Sequence, residues 1–133
     1  MLSFINLSKN SIQTAGANHI ANSLKINQSV TELHLMGNKI GPEGAKALAE
    51  TLKTNNTIQT LSLWGNDLGQ EGLLSISDML RSNKTISNLN LRGNILGTNQ
   101  GFSFKYRNFI EISQLNFCHL VQKKIFMLFC LNL

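Results

Sequence analysis

Asparagine recurs at positions 10, 38, 66 and 94, a fixed spacing of 28 residues. Each copy sits in the same frame. Three residues before it stand Leu7, Leu35, Leu63 and Leu91, and two before those stand Ile5, Leu33, Leu61 and Leu89. Two after it come Ile12, Ile40, Leu68 and Leu96. Four copies of L-x-L-x-x-N-x-[IL] in register make the chain a tandem repeat. Such a period marks an architecture in which no unit buries its own apolar face and each completes its neighbour.

The spacing dictates what one unit does. In L-x-L both apolar side chains fall on one face of a short strand, because side chains alternate with a period of two. Asn10, Asn38, Asn66 and Asn94 then end the strand, where the chain bends. A side-chain amide there can donate to and accept from the backbone groups that the bend leaves unpaired, so stacked copies predict a structural asparagine ladder. Gly41-Pro42-Glu43-Gly44 and Gly69-Gln70-Glu71-Gly72 open the next element. Pro42 suits a first helical turn, where its missing N–H costs nothing. Apolar residues follow at helical spacing: Ala17, Ile20, Ala21 and Leu24, then Ala45, Leu48, Ala49 and Leu52, then Leu73, Ile76, Met79 and Leu80. Asn27, Asn55 and Asn83 close these segments, and the expectation is a left-handed C-terminal cap at each. Val30, Ile58 and Ile86 open the following strand.

The segments Leu33-His34-Leu35-Met36-Gly37-Asn38-Lys39-Ile40-Gly41 and Leu61-Ser62-Leu63-Trp64-Gly65-Asn66-Asp67-Leu68-Gly69 resemble leucine-rich repeats of the ribonuclease-inhibitor type. They are similar to the repeats of NOD-like receptors with NACHT domains and to those of the Ran GTPase-activating protein. The resemblance covers about residues 2–97. It implies an α/β leucine-rich repeat solenoid, a short horseshoe arc with a parallel sheet inside and helices outside. It also implies a non-enzymatic module that holds a protein partner on the concave face, as in an innate sensor. One alternative it carries is a GTPase-activating protein like the Ran activator, and the other reading of the chain is a truncated, non-functional fragment.

Three rows of side chains should project from that inner face: Phe4, Glu32, Thr60 and Asn88; Asn6, His34, Ser62 and Asn90; Ser8, Met36, Trp64 and Arg92. Strands lie about 4.8 Å apart, so Met36, Trp64 and Arg92 should form one contiguous strip. Trp and Arg are the types most enriched at binding hot spots. With Glu32, His34 and Asn90 beside them, these are the expected partner-binding residues. Trp64 reads equally as a repeat residue that merely covers its neighbours. His34 has no companion beyond Glu32 and reads as a solvated surface histidine.

Other functions find little support. The formal charge of +5 is split unevenly, with eight Lys/Arg against six Asp/Glu in residues 1–100 and four against one in 101–133. No basic stripe runs along the repeats, so a nucleic-acid partner is not expected. Cys118 and Cys130 both lie in the tail and imply neither a disulfide framework nor a zinc site. His19 and His119 pair with nothing by spacing. No G-x-S-x-G, phosphate-binding loop or H-E-x-x-H occurs, so no catalytic residue, metal or cofactor is expected. Asn6, Asn27, Asn55 and Asn83 each head an N-x-[ST] triplet, read here as turn chemistry. The N-terminus lacks a charged segment and a long apolar run, and the apolar stretch 125–133 is far short of a membrane span. A cytoplasmic location is the default.

The register fails after Gly97, which divides the chain into repeats at 1–97 and a non-repeat tail at 98–133. Six of the seven Phe fall in that tail, and Gln122 stands where the next motif asparagine belongs. Three readings stand for it: a divergent cap over the last repeat, an anchor in which Lys123 and Lys124 flank an apolar end, or non-homologous sequence following a truncated or misread array. Met1 falls directly on a repeat strand. Solenoids need capped ends, so the expectation is a fragment-like arc that self-associates through uncapped ends.

Overall fold

In the computed structural model of the chain, residues 2–94 are described. The expected boundary at 97, the tail 98–133 and its Cys118, His119, Lys123, Lys124 and Cys130 lie outside them.

Strand and helix alternate without exception: β1 (Phe4–Asn6), α1 (Gln13–Leu24), β2 (Glu32–His34), α2 (Gly41–Leu52), β3 (Thr60–Ser62), α3 (Gly69–Ser82) and β4 (Asn88–Asn90). The strands form one parallel sheet in the order β1-β2-β3-β4, and Ile5, Leu33, Leu61 and Leu89 stand side by side across it. Each strand is only three residues long because its first leucine sits at the centre and its second just beyond the end. The ladder nonetheless continues past that end, with the Leu35 N–H donating to Ser62 O at 2.9 Å and the Leu63 N–H to Asn90 O at 2.8 Å. Leu33, Leu35, Leu61, Leu63 and Leu89 therefore all point away from the solvent-facing side and are buried. The helices meet them from behind, with Ala45, Leu48, Ala49, Leu52, Ile76 and Met79 fully enclosed. Strands repeat at about 4.8 Å while packed helices need 8–10 Å, so stacking the two layers bends the array with its sheet on the inside. The chain is an α/β leucine-rich repeat solenoid.

Between strand and helix the buried amides hold one repeat to the next. The Asn66 side chain is fully buried; its Oδ1 accepts from the Asn38 N–H at 2.9 Å, and its Nδ2 donates to Leu35 O at 2.8 Å. Asn38 does the same one step back, accepting from the Asn10 N–H at 2.7 Å and donating to Leu7 O at 2.9 Å. Asn94 accepts from the Asn66 N–H and donates to Leu63 O, both at 2.9 Å. Asn10 differs. On the first repeat its Nδ2 donates only locally, to Ser8 O at 3.2 Å, and its side chain is exposed.

The turn that these amides brace needs left-handed backbone at three places. They are Gly37, Lys39 and Gly41 in the second repeat and Gly65, Asp67 and Gly69 in the third. In the first repeat the same positions fall to Lys9, Ser11 and Gln13, with φ of 59°, 51° and 58°. A left-handed residue with a Cβ costs roughly 1–2 kcal/mol, so the first turn is the strained one.

The expected left-handed caps at Asn27, Asn55 and Asn83 are not there. None of the three has a positive φ, and Asn83 is extended at φ −69°, ψ 124°. Left-handed backbone falls before each helix rather than after it, and Asn55 and Asn83 form a second ladder instead. Asn83 Nδ2 donates to Leu52 O at 2.7 Å, while its Oδ1 accepts from Thr85 and Ile86 N–H at 2.9 and 2.8 Å. Asn55 repeats this with Leu24 O, Thr57 N–H and Ile58 N–H. At Asn55 and Asn83 the N-x-[ST] spacing is thus a turn in which the amide is already engaged, while Asn27 makes the local half, its Oδ1 accepting from the Ser29 and Val30 N–H groups.

Replacing Asn66 by Leu should cost about 3 kcal/mol in denaturant unfolding, because it strands a buried N–H and a buried carbonyl. Asn10→Leu should cost less than about 1 kcal/mol, since its amide bridges no preceding repeat. Lys9→Gly with Gln13→Gly should stabilise the chain by about 0.5–1 kcal/mol each, the relieved strain outweighing glycine's entropy.

Candidate protein-interaction face

The side chains opposite the leucines make the inner face. The registers Glu32–Thr60–Asn88 and His34–Ser62–Asn90 run straight across it, and Asn6 continues the second onto β1. One residue beyond the strands, the Gly37 N–H donates to Trp64 O at 2.9 Å and the Gly65 N–H to Arg92 O at 2.8 Å. Those bonds bring Met36, Trp64 and Arg92 to neighbouring positions on adjacent turns. The six singled-out residues therefore share one surface. Met36, Arg92, Glu32 and His34 are half-buried, while Asn90 is exposed.

Trp64 is 41% exposed, a high value for an indole on the inside of an arc. It does not stand free. A Cβ built on Gly93 would lie 3.0 Å from Trp64 Nε1 and 3.3 Å from its Cδ1, so the indole edge rests on that bare glycine of the next turn. Gly93 has φ +67°, which fits the turn, but its lack of a side chain is what gives the ring its seat. The signal was present as the 28-residue series Gly37, Gly65, Gly93, although nothing in a single sequence said which of them a tryptophan would use.

His34 is not the solvated histidine expected. The Phe4 ring of the preceding repeat lies over it with centroids 5.3 Å apart and planes tilted by 47°. Its Nε2 is shut off from solvent without a hydrogen-bond partner, at 3.8 Å from Glu32 Oε2. The cause is the register, which sets Phe4 and Asn6 of β1 alongside Glu32 and His34. Ser62, expected at the surface, is only 7% exposed.

The outer side is built differently. Lys53 Nζ bridges Asp78 Oδ2 at 2.9 Å and Glu50 Oε1 at 2.8 Å, tying α2 to α3. The hydrogen bond to Asp78 raises the Lys53 ammonium above its ordinary value and, reciprocally, holds the Asp78 carboxyl below its own. These groups are solvent-exposed, and such pairs contribute little to stability. Among the described residues no group of three His, Cys, Asp or Glu is placed to hold a metal.

A family model described as "Leucine Rich repeat" matches residues 27–49 and 54–77, which together take in β2, most of α2, β3 and the first part of α3. No curated protein sequence matches the chain. Among solved structures, "Leiomodin-1 Actin-Binding Site 2 (ABS2)" superposes with a TM-score of 0.69 at 24% identity, over 85% of this chain. The chain spans 62% of that structure's length. The repeats and the fold are therefore those of a leucine-rich repeat solenoid. The leiomodin likeness, at that identity, carries the fold alone.

Trp64 is the sole tryptophan, so its emission reports its seat directly. Gly93→Asn keeps a residue that tolerates left-handed backbone but adds a side chain under the ring. Its emission should shift to the red and quench more readily than wild type. Gly41→Asn, at the start of α2 and away from the ring's seat, should leave both unchanged.

Proposed function

We propose that the chain is a non-catalytic protein-interaction module whose inner sheet face holds a protein partner. Met36, Trp64 and Arg92 form the contact strip in this reading, with Glu32, His34 and Asn90 at its flank. The observation that carries it is Trp64: a large amphipathic ring left substantially exposed, yet seated on a regular sheet, presents contact area at little entropic cost. The leucine-rich repeats support the reading, since they lay a regular sheet face open to a partner.

Kinship with the repeats of NOD-like receptors is the finer form of this proposal, in a cytoplasmic setting. No helix among the described residues is long and apolar enough to cross a membrane. The array of 1–97 would be the binding unit and 98–133 a separate segment. Self-association belongs to the same reading, because β1 lies at the edge of the sheet with Leu2 and Phe4 exposed beside it. It would show as a sedimenting mass that rises with concentration. The second reading, a GTPase-activating protein like the Ran activator, has only the repeat resemblance behind it.

Trp64→Ala combined with Arg92→Ala should weaken a partner captured by the intact chain at least about tenfold, a loss of some 1.4 kcal/mol. The melting temperature should change little, because neither residue is fully buried. Unchanged affinity would move the contact to the helices or loops. In parallel, stimulation of GTP hydrolysis by Ran well above background would overturn the non-catalytic reading, and no stimulation is expected.

A further inference from the structure

Beside Trp64 the inner face carries a step of two glycines. Chain neighbours apart, a Cβ built on Gly65 would meet no heavy atom within 4 Å, and one built on Gly37 only Lys9 Cγ at 3.4 Å. The two glycines are neighbours, joined through the Gly37 N–H to Trp64 O bond of 2.9 Å. The Trp64 indole leans toward Gly93, on the far side of Gly65 from Gly37. Met36 and Trp64 stand immediately before the two glycines in the chain and supply apolar walls. The backbone N–H groups of both glycines are already engaged, with Trp64 O and Arg92 O. What the step can accept is therefore a side chain or a closely approaching backbone rather than a hydrogen-bonding anion.

The charge around it leans positive. Lys9, Lys39 and Arg92 stand on these turns against Asp67, with Glu32 on the adjoining strand, whereas the helices hold Lys46 and Arg81 against Glu43, Glu50, Glu71 and Asp78. On the outer side Lys53 is paired with both Glu50 and Asp78. Lys9 and Lys39 are exposed, and neither ammonium has a partner among the described residues. They flank the step at its Gly37 end.

We propose that the Gly37–Gly65 step receives an extended acidic segment of a protein partner, one apolar side chain lodging between Met36 and Trp64 while its carboxylates meet Lys9 and Lys39. This rests on the inner-face reading above and adds the chemistry of what binds there. Two lysines beside an apolar seat suit a short acidic peptide. A nucleic acid would want a longer basic track and stacking partners along it.

The test is a titration of the full chain, read by Trp64 emission, with synthetic decapeptides of Asp and Glu around a central Leu or Phe. Counterparts carrying Asn and Gln, or Lys, in place of the acids complete the series, with a single-stranded oligonucleotide of equal length. The acidic peptides should move the emission and bind about tenfold more tightly than the neutral ones, with affinity falling as salt rises. Lys9→Asn with Lys39→Asn removes both charges while keeping a residue suited to left-handed backbone, and should erase most of that difference. Lys46→Asn on α2 should change affinity less than about twofold, being remote from the step. Gly65→Asn should block binding by filling the step, and circular dichroism of each variant confirms that it folds.

Four results would overturn the proposal: no binding by any acidic peptide, equal binding of neutral or basic ones, equal binding of the oligonucleotide, or an equal loss in Lys46→Asn. Should neutral peptides bind and Gly65→Asn block them, the inner face still serves and only the acidic preference falls. Should acidic peptides bind with Trp64 unmoved and Gly65→Asn silent, the inner-face reading falls as well.

Discussion

Everything in this chain hangs on a side-chain amide placed where the strand gives out. A strand of three residues cannot satisfy the backbone that follows it, and the helix begins several residues further on. Asn38 and Asn66 fill that gap from inside, accepting from the turn of the repeat before and donating to its strand. Since each amide serves a neighbour 26 to 31 residues away, repeats are joined by bonds that no single repeat could make for itself. Buried amides of this kind are costly when unpaired and specific when paired. They set the register, and the leucines fill the space that the register defines.

The second ladder, at Asn55 and Asn83, closes the other end of each helix in the same manner. The helices are therefore pinned at both ends to their predecessors, which leaves the sheet side as the regular and rigid surface. Rigid placement is what a loop-borne tryptophan would lack. Here Trp64 rises from a turn whose backbone is bonded on both sides, and its ring has a fixed rest on Gly93. The glycine series has two uses at once: it permits left-handed backbone at the turn, and it leaves open ground on the inner face.

Much of the fold was legible because its signal is periodic. The spacing of Leu33 to Leu61 to Leu89 gave the sheet register, and Pro42 with Ala45 and Leu48 gave the start and face of a helix. What the period could not convey was conformation within the turn. Asparagine tolerates left-handed backbone and also caps by its side chain; Asn27, Asn55 and Asn83 were assigned the first property and use the second. The left-handed positions fell instead on glycines, on Lys39 and Asp67 and, in the first repeat, on Lys9, Ser11 and Gln13, where residue type offers little warning. The rows of the inner face were likewise readable from alternation. The contact of Phe4 with His34, the enclosure of Ser62 and the lean of Trp64 depend on side-chain directions between repeats, which spacing leaves open.

Native-state hydrogen exchange, resolved by residue, tests the ladder most directly. If the buried amides hold the repeats together, the backbone N–H groups of Asn38 and Asn66, each bonded to a side-chain oxygen one repeat on, should exchange as slowly as those of Leu35 and Leu63 in the strand ladder. Exchange of Asn38 and Asn66 at the rate of exposed turn amides, with Leu35 and Leu63 still protected, would show that the leucine core stands without the asparagines and would contradict the account.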